Sequence, residues 1–397
     1  YLKMQSSLKY CIKCLMPDTR PNIKFVDGIC TACINFEKQK TTDWKKRLDE
    51  LKALCDKYRG CNGNSYDCAI AVSGGKDSHF QVYYMKEVMK MNPLLLSVSN
   101  VDWTETGRKN LENISETFGC DIISFNPNRK IAKILFRKAF EKIGSPTWYI
   151  DALIYAFPIK MAIRLGIKLL VYGEDVNYVY GGKYDNEKAS AKEIMLNDVV
   201  KPIWKEWLED GQLSEKDLES ARMPTNEEIE KFGLEPIYLS YFVPWDSHHN
   251  FEVAKRWGFK QLLHEYQREG TIEEYNQIDS IGYLLNQFMK YPKYAHSSAT
   301  EIGSRWIRAG LKTRDEIIPL VEEHDKKLDQ GIVERFCSFT GMTIPEFWKI
   351  MLNQVLNVVF SKYFGRARVQ LFVINNLVRC TSICVRLFEQ MVCLLWG

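Results

Sequence analysis

Four cysteines near the start of the chain have the spacing of metal ligands. Cys11 and Cys14 form one C-x2-C pair, and Cys30 and Cys33 form a second pair after fifteen intervening residues. Each pair can place two thiolates along one edge of a tetrahedron, and two such edges complete a site with metal–sulfur distances of ~2.3 Å. The pattern predicts a structural Zn²⁺, with iron as the main alternative because the same tetrahedron suits both metals. Since all four ligands come from the chain, we expect a role in folding or docking rather than in catalysis.

A second pattern predicts a loop that binds phosphate. It is the run Ser73-Gly74-Gly75-Lys76-Asp77-Ser78, which follows an apolar segment and precedes a helical one. Glycines let backbone N–H groups approach an oxyanion closely, and the two serine hydroxyls can donate further hydrogen bonds. The run lacks the G-x4-G-K-[ST] spacing of a Walker A loop. The alternative is a strand–turn–helix corner whose glycines serve only the turn.

A third pattern places two acids after another apolar segment. Gly173, Glu174 and Asp175 follow the run KLLVY, and Gly181 and Gly182 come shortly afterwards. A carboxylate in this position could hold Mg²⁺ or accept a proton from an attacking nucleophile. The alternative is a pair of solvated loop acids without a chemical role.

These residues need a scaffold, and the chain between residues 66 and 300 alternates short apolar runs with helical periodicity. The patterns predict strands at 67–72, 94–99, 121–125 and 168–173, and helices at 78–91, 106–118, 130–143 and 149–165. Such alternation predicts an α/β fold with a parallel sheet and right-handed crossovers. Ligands of these sheets bind beyond the carboxyl ends of the strands, so we expect the phosphate loop and the acidic loop to share one site.

The chain divides into segments of different composition. We expect a four-cysteine head at 8–40, a helical connector at 41–65, the α/β domain at 66–295, a helical C-terminal region at 296–360 and an atypical tail at 361–397. The tail is basic and apolar, and it carries three further cysteines. No functional expectation attaches to it.

Composition narrows the class of protein. The 397 residues carry a formal net charge of +4, which the basic residues of the tail account for alone. A neutral body does not favour a nucleic-acid partner, because such partners usually require a basic surface. The start of the chain lacks the apolar core of a secretory signal, and no apolar run reaches the ~20 residues of a membrane span. We therefore interpret the twelve cysteines as those of a reduced, cytoplasmic protein rather than of a disulfide scaffold.

The phosphate loop resembles the PP-loop of ATP pyrophosphatases that transfer AMP. That resemblance implies that ATP, with Mg²⁺, places its terminal phosphates on Ser73, Gly74, Gly75, Lys76, Asp77 and Ser78. The second loop resembles the acidic loop of asparagine-synthetase-type members of the same superfamily, in which Gly173 would also contact the nucleotide. The likeness implies catalytic roles for Lys76, Asp77, Glu174 and Asp175.

The combination of motifs is similar to the N-acetyl sugar amidotransferase family. The quoted features are the head KYCIKCLMPDTRPNIKFVDGICTAC, the run SGGKDS, the loop YGED…YGG and the segment Ala299–Asp325, and the likeness covers about residues 8–355. It implies an ATP-dependent ligase of O-antigen, pseudaminic or legionaminic acid biosynthesis. Such an enzyme adenylates the acetamido oxygen of an N-acetyl sugar, lets ammonia attack, and releases AMP, pyrophosphate and an acetamidino sugar.

The same resemblance implies partners. Ammonia would come from separate glutaminase and cyclase-like subunits, and the sugar would be nucleotide-linked. Lys290 and Lys293 could meet its diphosphate, or they could form a solvated basic face.

Two other functions compete with this interpretation. A tRNA thiolase of the PP-loop family can also carry a four-cysteine head, but it needs sulfur-carrying cysteines or a cluster near the loop. Between residues 69 and 336 this chain has only Cys120, which favours the sugar enzyme. A non-enzymatic regulatory protein that binds zinc and nucleotide is the third interpretation, and the complete adenylating loop argues against it.

Overall fold

The computed structural model describes residues 8–63, 65–182, 187–194, 205–265 and 268–360. The head begins with a short antiparallel hairpin, β1 (Phe25–Val26) and β2 (Ile29–Cys30). Asp27 and Gly28 form its turn, and both have the positive φ that a tight hairpin turn requires. Helix α1 (Thr31–Gln39) follows, and α2 (Trp44–Tyr58) then leads into the body and buries Leu51, Cys55 and Tyr58.

The body is built on a five-stranded parallel sheet, which confirms the predicted fold class. Its strands are β3 (Cys68–Val72), β4 (Pro93–Val98), β5 (Ile122–Phe125), β6 (Leu169–Tyr172) and β7 (Glu235–Tyr238). They lie in the order β5-β4-β3-β6-β7. Strand β7 was not predicted, because it is four residues long and contains Pro236. Proline is tolerated there because, within the described chain, β7 pairs along its length only with β6, and its other side makes no more than an isolated bridge to Ser190.

Helices connect the strands and cover the sheet. The first four are α3 (Lys76–Val82), which continues as a π-helical segment to Val88, α4 (Glu105–Phe118), α5 (Arg129–Ile143) and α6 (Trp148–Arg164). Alternate residues of β4 face opposite layers: Leu94 and Leu96 pack with α5 and α6, whereas Leu95 packs with the core under α2, α3 and α4. Both faces of the sheet are therefore buried, as a parallel sheet requires.

Shorter helices lie around β6 and β7. They are α7 (Val176–Val179), α8 (Glu215–Leu218), α9 (Asn226–Phe232), α10 (Leu239–Phe242) and α11 (Ser247–Arg256).

The C-terminal part of the described chain is helical. It comprises α12 (Ile281–Phe288), α13 (Lys290–Tyr294), α14 (Ser298–Arg308), α15 (Arg314–His324), α16 (Gln330–Thr340) and α17 (Ile344–Phe360). Helix α17 packs on α5, where the rings of Phe140 and Phe347 stack with centroids 4.9 Å apart. The predicted tail, 361–397, lies outside the described residues. Among the residues that are described, no helix has the length and apolar character needed to cross a membrane.

The order of the strands decides where ligands can bind. The chain runs outward from β3 through β4 to β5, then returns to the other side of β3 with β6 and β7. Because β3 and β6 are neighbours, the loops that follow them begin side by side, and the chain then continues toward opposite edges of the sheet. This topological switch is the point at which open α/β sheets form a binding crevice.

Candidate active site

The predicted phosphate loop is a tight turn between β3 and α3. The backbone N–H of Ser73 donates to the Oγ of Ser78 at 2.9 Å, and that of Gly75 donates to the Oγ of Ser73 at 3.3 Å. Gly74 has a φ of +92°, and a Cβ there would lie 2.9 Å from the backbone nitrogen of Leu111 on α4. Both the backbone conformation and the close approach of α4 therefore require glycine.

A buried histidine fixes the loop from behind. Nδ1 of His79 lies 3.0 Å from the carbonyl oxygen of Gly75, and Nε2 lies 3.1 Å from the side-chain nitrogen of Asn113. Because a carbonyl can only accept, Nδ1 carries the proton and Nε2 accepts from Asn113. Burial lowers the pKa of His79 to about 4, so the ring is neutral at physiological pH. The sequence analysis missed His79, since no spacing pattern marks it.

The two predicted loops meet at Lys76, Asp77 and Glu174. Nζ of the buried Lys76 lies 2.5 Å from one carboxylate oxygen of Asp77, and Asn250 donates to the other at 2.8 Å. Glu174 is half-buried beside them. Loss of solvent and the negative charge of Asp77 raise the pKa of Glu174 to about 7, against the opposing effect of Lys76. A carboxyl with this pKa can exchange a proton near neutral pH.

Asp175 has different surroundings from its neighbour. Its side chain is buried and accepts from the backbone N–H of Asn177 at 3.0 Å, so it caps the N-terminus of α7. Its own backbone N–H donates to the Oγ of Ser240 at 3.2 Å. The structure therefore brings Glu174, but not the carboxylate of Asp175, to the group formed by Lys76 and Asp77.

A cavity of about 520 Å³ lies over these loops. This volume is within the usual range for small-molecule and cofactor sites. Its first wall holds most of the residues predicted to contact ATP, namely Ser73, Gly75, Lys76, Asp77, Ser78 and Gly173, together with the predicted catalytic residue Glu174. Gly74 is instead turned toward α4. The second wall comes from residues 268–277 and from α12, α13 and α14.

Charged groups on the second wall form a compact ion network. Nζ of Lys290 lies 2.9 Å from both carboxylate oxygens of Glu301, and a guanidinium nitrogen of Arg20 lies 3.5 Å from one of them. Although burial alone would raise it, the cations Lys290 and Arg20 hold the pKa of Glu301 well below its usual range. Lys290 was singled out from the sequence, but Arg20 and Glu301 were missed because 281 residues separate them.

Tyr180 links the two walls. Its hydroxyl donates to Glu174 at 3.3 Å, and its ring is contacted by the guanidinium groups of Arg20 at 5.6 Å and Arg305 at 5.9 Å. A second cavity, of about 40 Å³, is also lined by Tyr180 and is bounded by residues of α1, α7, α11 and α14. The small cavity shares four lining residues with the large one: Lys76, Asp77, Tyr180 and Arg305.

The four predicted metal ligands lie together in the head. The sulfur atoms of Cys11, Cys14, Cys30 and Cys33 all lie within 4.8 Å of one another and are buried. The distance from Cys11 to Cys33 is 3.8 Å, and that from Cys14 to Cys30 is 3.6 Å. A single tetrahedral ion with bonds of ~2.3 Å separates its sulfur ligands by roughly 3.8 Å. The donor set therefore fits one metal ion.

The four-cysteine head makes hydrogen bonds to the segment that follows Glu174. The side chain of Thr31 donates to the carbonyl oxygen of Gly181 at 3.1 Å, and that of Asn35 donates to the carbonyl oxygen of Tyr178 at 2.9 Å. A Cβ at Gly181 would lie 2.6 Å from the backbone nitrogen of Ala32. These contacts hold the segment that follows Glu174, so the four-cysteine head also positions part of the cavity wall.

Comparison with known proteins gives three findings. Residues 269–367 match the model of a family described as LPS biosynthesis protein WbpG-like, C-terminal domain. Over 157 residues the chain is 28% identical to an uncharacterised protein from Methanocaldococcus jannaschii, a match that covers 38% of this chain and 52%, about half, of that relative. Among solved structures it is similar to a U34-tRNA thiolase, NcsA, from Methanococcus maripaludis with its [4Fe-4S] cluster, at 14% identity and a TM-score of 0.30, covering 75% of this chain and 88% of that one.

The family match coincides with one wall of the large cavity. Residues 269–305, which lie inside the matched region, supply most of the second wall, while the loop at residues 73–78 lies in the first. The loop predicted to bind phosphate and a region similar to the WbpG-like C-terminal domain thus line one cavity, and the predicted likeness to N-acetyl sugar amidotransferases is confirmed.

Proposed function

We propose that this protein uses ATP to adenylate the acetamido oxygen of an N-acetyl sugar and then replaces that oxygen with ammonia, which gives an acetamidino sugar. One observation carries the proposal: the loop at residues 73–78 and the region similar to the WbpG-like domain line a single cavity. A PP-loop enzyme activates a carbonyl oxygen with AMP, and a domain named for lipopolysaccharide biosynthesis supports a sugar as the molecule activated. The two reactants would therefore meet in one enclosed space.

The first step is the transfer of AMP. The terminal phosphates of ATP would bind at the turn formed by residues 73–78, and Asp77 would hold Mg²⁺, which would neutralise charge on the phosphates. The amide oxygen attacks the α-phosphorus, the bond to the β-phosphate oxygen breaks, and pyrophosphate leaves. Lys76 stabilises the charge that develops on the departing group. This activation is needed because an amide oxygen is a very poor leaving group.

The second step is attack by ammonia on the activated carbon. Nitrogen forms a bond to that carbon, one proton passes to Glu174, and the carbon–oxygen bond to AMP breaks. Because the pKa of Glu174 is raised to about 7, its carboxylate is basic enough to accept this proton at neutral pH. The hydroxyl of Tyr180 orients the carboxylate through its hydrogen bond.

Ammonia would be supplied by a separate glutaminase with a cyclase-like subunit. The small cavity has space for a molecule of that size and is lined by Lys76 and Tyr180, so we propose it as the approach for ammonia. Water entering the large cavity would hydrolyse the activated sugar back to the amide, so a separate approach for ammonia protects the intermediate.

A direct experiment tests the reaction. Purified protein is incubated with labelled ATP, ammonium and a panel of acetamido sugar nucleotides, and the products are separated and weighed by mass spectrometry. We expect AMP and pyrophosphate to appear only with a sugar, and an amidine only when ammonium is also present. Formation of ADP, or turnover that depends on tRNA instead of sugar, would overturn the proposal.

A matched pair of variants controls this experiment. Lys76→Met removes the proposed stabilising charge and should abolish pyrophosphate release, whereas Lys90→Met, at an exposed lysine, should not change it.

For the four-cysteine cluster we propose Zn²⁺ in a structural role. Metal analysis of the purified chain should find one zinc ion per molecule, and Cys14→Ser should lower both the zinc content and the rate of amidine formation. The rate falls because the head contributes Arg20 to the cavity and holds Gly181. Cys61→Ser, at an exposed cysteine outside the cluster, is the control. Iron in place of zinc would contradict the assignment.

A further inference from the structure

The second wall of the large cavity contains buried polar atoms without hydrogen-bond partners. Among them are Nδ2 of Asn276, Oε1 of Gln287, and both ring nitrogens of His296, and all three residues line the cavity. His296 is 1% exposed and Gln287 is 8% exposed, so neither is satisfied by bulk solvent. Buried polar groups in proteins are nearly always paired, because an unpaired one costs about 1–3 kcal/mol. Four such atoms on one cavity wall therefore indicate a ligand that completes them.

The backbone that carries these residues is held in place before any ligand binds. A guanidinium nitrogen of Arg268 donates to the backbone carbonyl oxygen of Asn276 at 3.0 Å, and the hydroxyl of Ser297 donates to the backbone carbonyl oxygen of Gln287 at 3.3 Å. The ring of His296 stacks on Tyr294 with centroids 6.1 Å apart. The wall is therefore preorganised, which lowers the entropy lost on binding.

The cations near this wall already have protein partners. Lys290 and Arg20 are paired with Glu301, Arg305 lies 3.7 Å from Glu273, and Lys293 donates to a backbone carbonyl at 2.8 Å. Nδ1 of His296 lies 3.9 Å from Glu301, which is too far for a hydrogen bond.

The open atoms themselves are uncharged. Burial, with the nearby charges of Arg20, Lys290 and Lys293, lowers the pKa of His296 to about 3 against the opposing effect of Glu301, so the ring offers one donor and one acceptor. The amide of Asn276 adds a donor, and that of Gln287 adds an acceptor.

We propose that Asn276, Gln287 and His296 form the acceptor subsite of the cavity and recognise the hydroxyl and acetamido groups of a sugar through uncharged hydrogen bonds. This inference rests on the proposed function and adds the residues that select the acceptor. The open atoms comprise equal numbers of neutral donors and acceptors. They match hydroxyl and amide groups, each of which can both donate and accept a hydrogen bond. Phosphate or carboxylate would instead require cations that are not engaged elsewhere.

Binding measurements on the full chain test the subsite. Isothermal titration with UDP-N-acetylglucosamine and UDP-glucose, and separately with a non-hydrolysable ATP analogue, is carried out on the wild type, His296→Ala and Gln287→Leu. We expect Gln287→Leu to bind UDP-N-acetylglucosamine roughly tenfold more weakly, since one hydrogen bond is lost, and His296→Ala to bind it more weakly still, since both ring nitrogens are lost. Both variants should bind the ATP analogue as the wild type does. His296→Gln should restore part of the affinity. The wild type should bind UDP-glucose more weakly than UDP-N-acetylglucosamine.

Control variants keep the outcome interpretable. His324→Ala removes another histidine with an unpartnered ring nitrogen, but on α15 outside the cavity lining, and it should change neither affinity. Retained binding of the ATP analogue shows that a variant is folded, and if His296→Ala does not fold, Asn276→Ala replaces it.

Three outcomes would overturn the subsite: no binding of UDP-N-acetylglucosamine by the wild type, unchanged sugar affinity in the variants, or an equal loss of affinity for the ATP analogue. Failure of the proposed function is distinguishable from each of these. It would appear as sugar binding that depends on His296 without release of AMP, whereas AMP release that is unaffected in the variants would refute the subsite alone.

Discussion

Glu174 and Glu301 line the same cavity and have opposite electrostatic surroundings. Both lose solvent on folding, which alone would raise the pKa of either carboxyl. Glu174 faces Asp77, and its pKa rises to about 7, whereas Glu301 is surrounded by Lys290 and Arg20, which hold its pKa below the usual range. Burial therefore does not decide the charge of a carboxyl in this cavity; its neighbours do. Glu174 can therefore exchange a proton, whereas the ionised Glu301 on α14 connects α13 and the head through Lys290 and Arg20.

The largest expected effect comes from removing the proton acceptor. Glu174→Gln keeps the shape of the side chain but cannot take a proton from ammonia, so amidine formation should fall by about 10²–10⁴-fold. Pyrophosphate release that depends on the sugar but not on ammonium should persist. Rapid-quench assays of both products check this, and a parallel loss of both steps would place Glu174 in ATP binding instead.

The same change at the other glutamate should alter stability. Glu301→Gln leaves Lys290 and Arg20 without their shared counter-charge, and the free energy of unfolding in urea should fall by about 3 kcal/mol. The double variant Glu301→Gln/Lys290→Met should recover much of the loss. Glu322→Gln, at an exposed position on α15, is the control. Equal stability of Glu301→Gln and wild type would contradict the ion network.

Glu174 and Glu301 should affect the free energy of unfolding over different ranges of pH. Glu174 has a raised pKa, so its contribution is present below about pH 4.5, the ordinary value, and is lost as the pH rises to about 7. The loss should be no more than about 3 kcal/mol. Glu301 has a lowered pKa, so its contribution is present above pH 4.5 and is lost only in stronger acid. Urea midpoints should be measured from pH 3 to pH 8. In Glu174→Gln the fall in midpoint between about pH 4.5 and pH 7 should disappear, and in Glu301→Gln the fall below pH 4.5 should disappear. If the fall persists in either variant, the pKa assigned to that glutamate is wrong.

The smallest effect is expected next to Glu174. Asp175→Ala removes a helix cap and should lower the free energy of unfolding by about 1 kcal/mol, whereas Asp175→Asn, which caps equally well, should be close to neutral. Urea unfolding and amidine assays check both variants. If Asp175→Asn slowed amidine formation as much as Glu174→Gln, the carboxylate of Asp175 would belong to the chemistry after all.

These contrasts also mark how far the sequence can predict the molecule. Cys11 to Cys33 and Ser73 to Ser78 were identifiable because their chemistry depends on residues close in sequence. Arg20 and Glu301, or Tyr180 and Arg305, meet only through the fold, and no local pattern joins them. The neighbours Glu174 and Asp175 looked equivalent, since the direction of each side chain depends on where α7 begins. An aspartate directly before a helical segment is a capping signal that could have distinguished Asp175.

The contact between Gly181 and Ala32 limits how this protein can be trimmed. A version that starts after residue 40 would lose Arg20 and Pro21 from the lining of the large cavity and would uncover the backbone around Gly181. The cavity of such a version would be open to solvent on that side. A design that moves the four-cysteine head to another protein must therefore include residues 174–182, because the backbone at Gly181 packs directly against the backbone at Ala32.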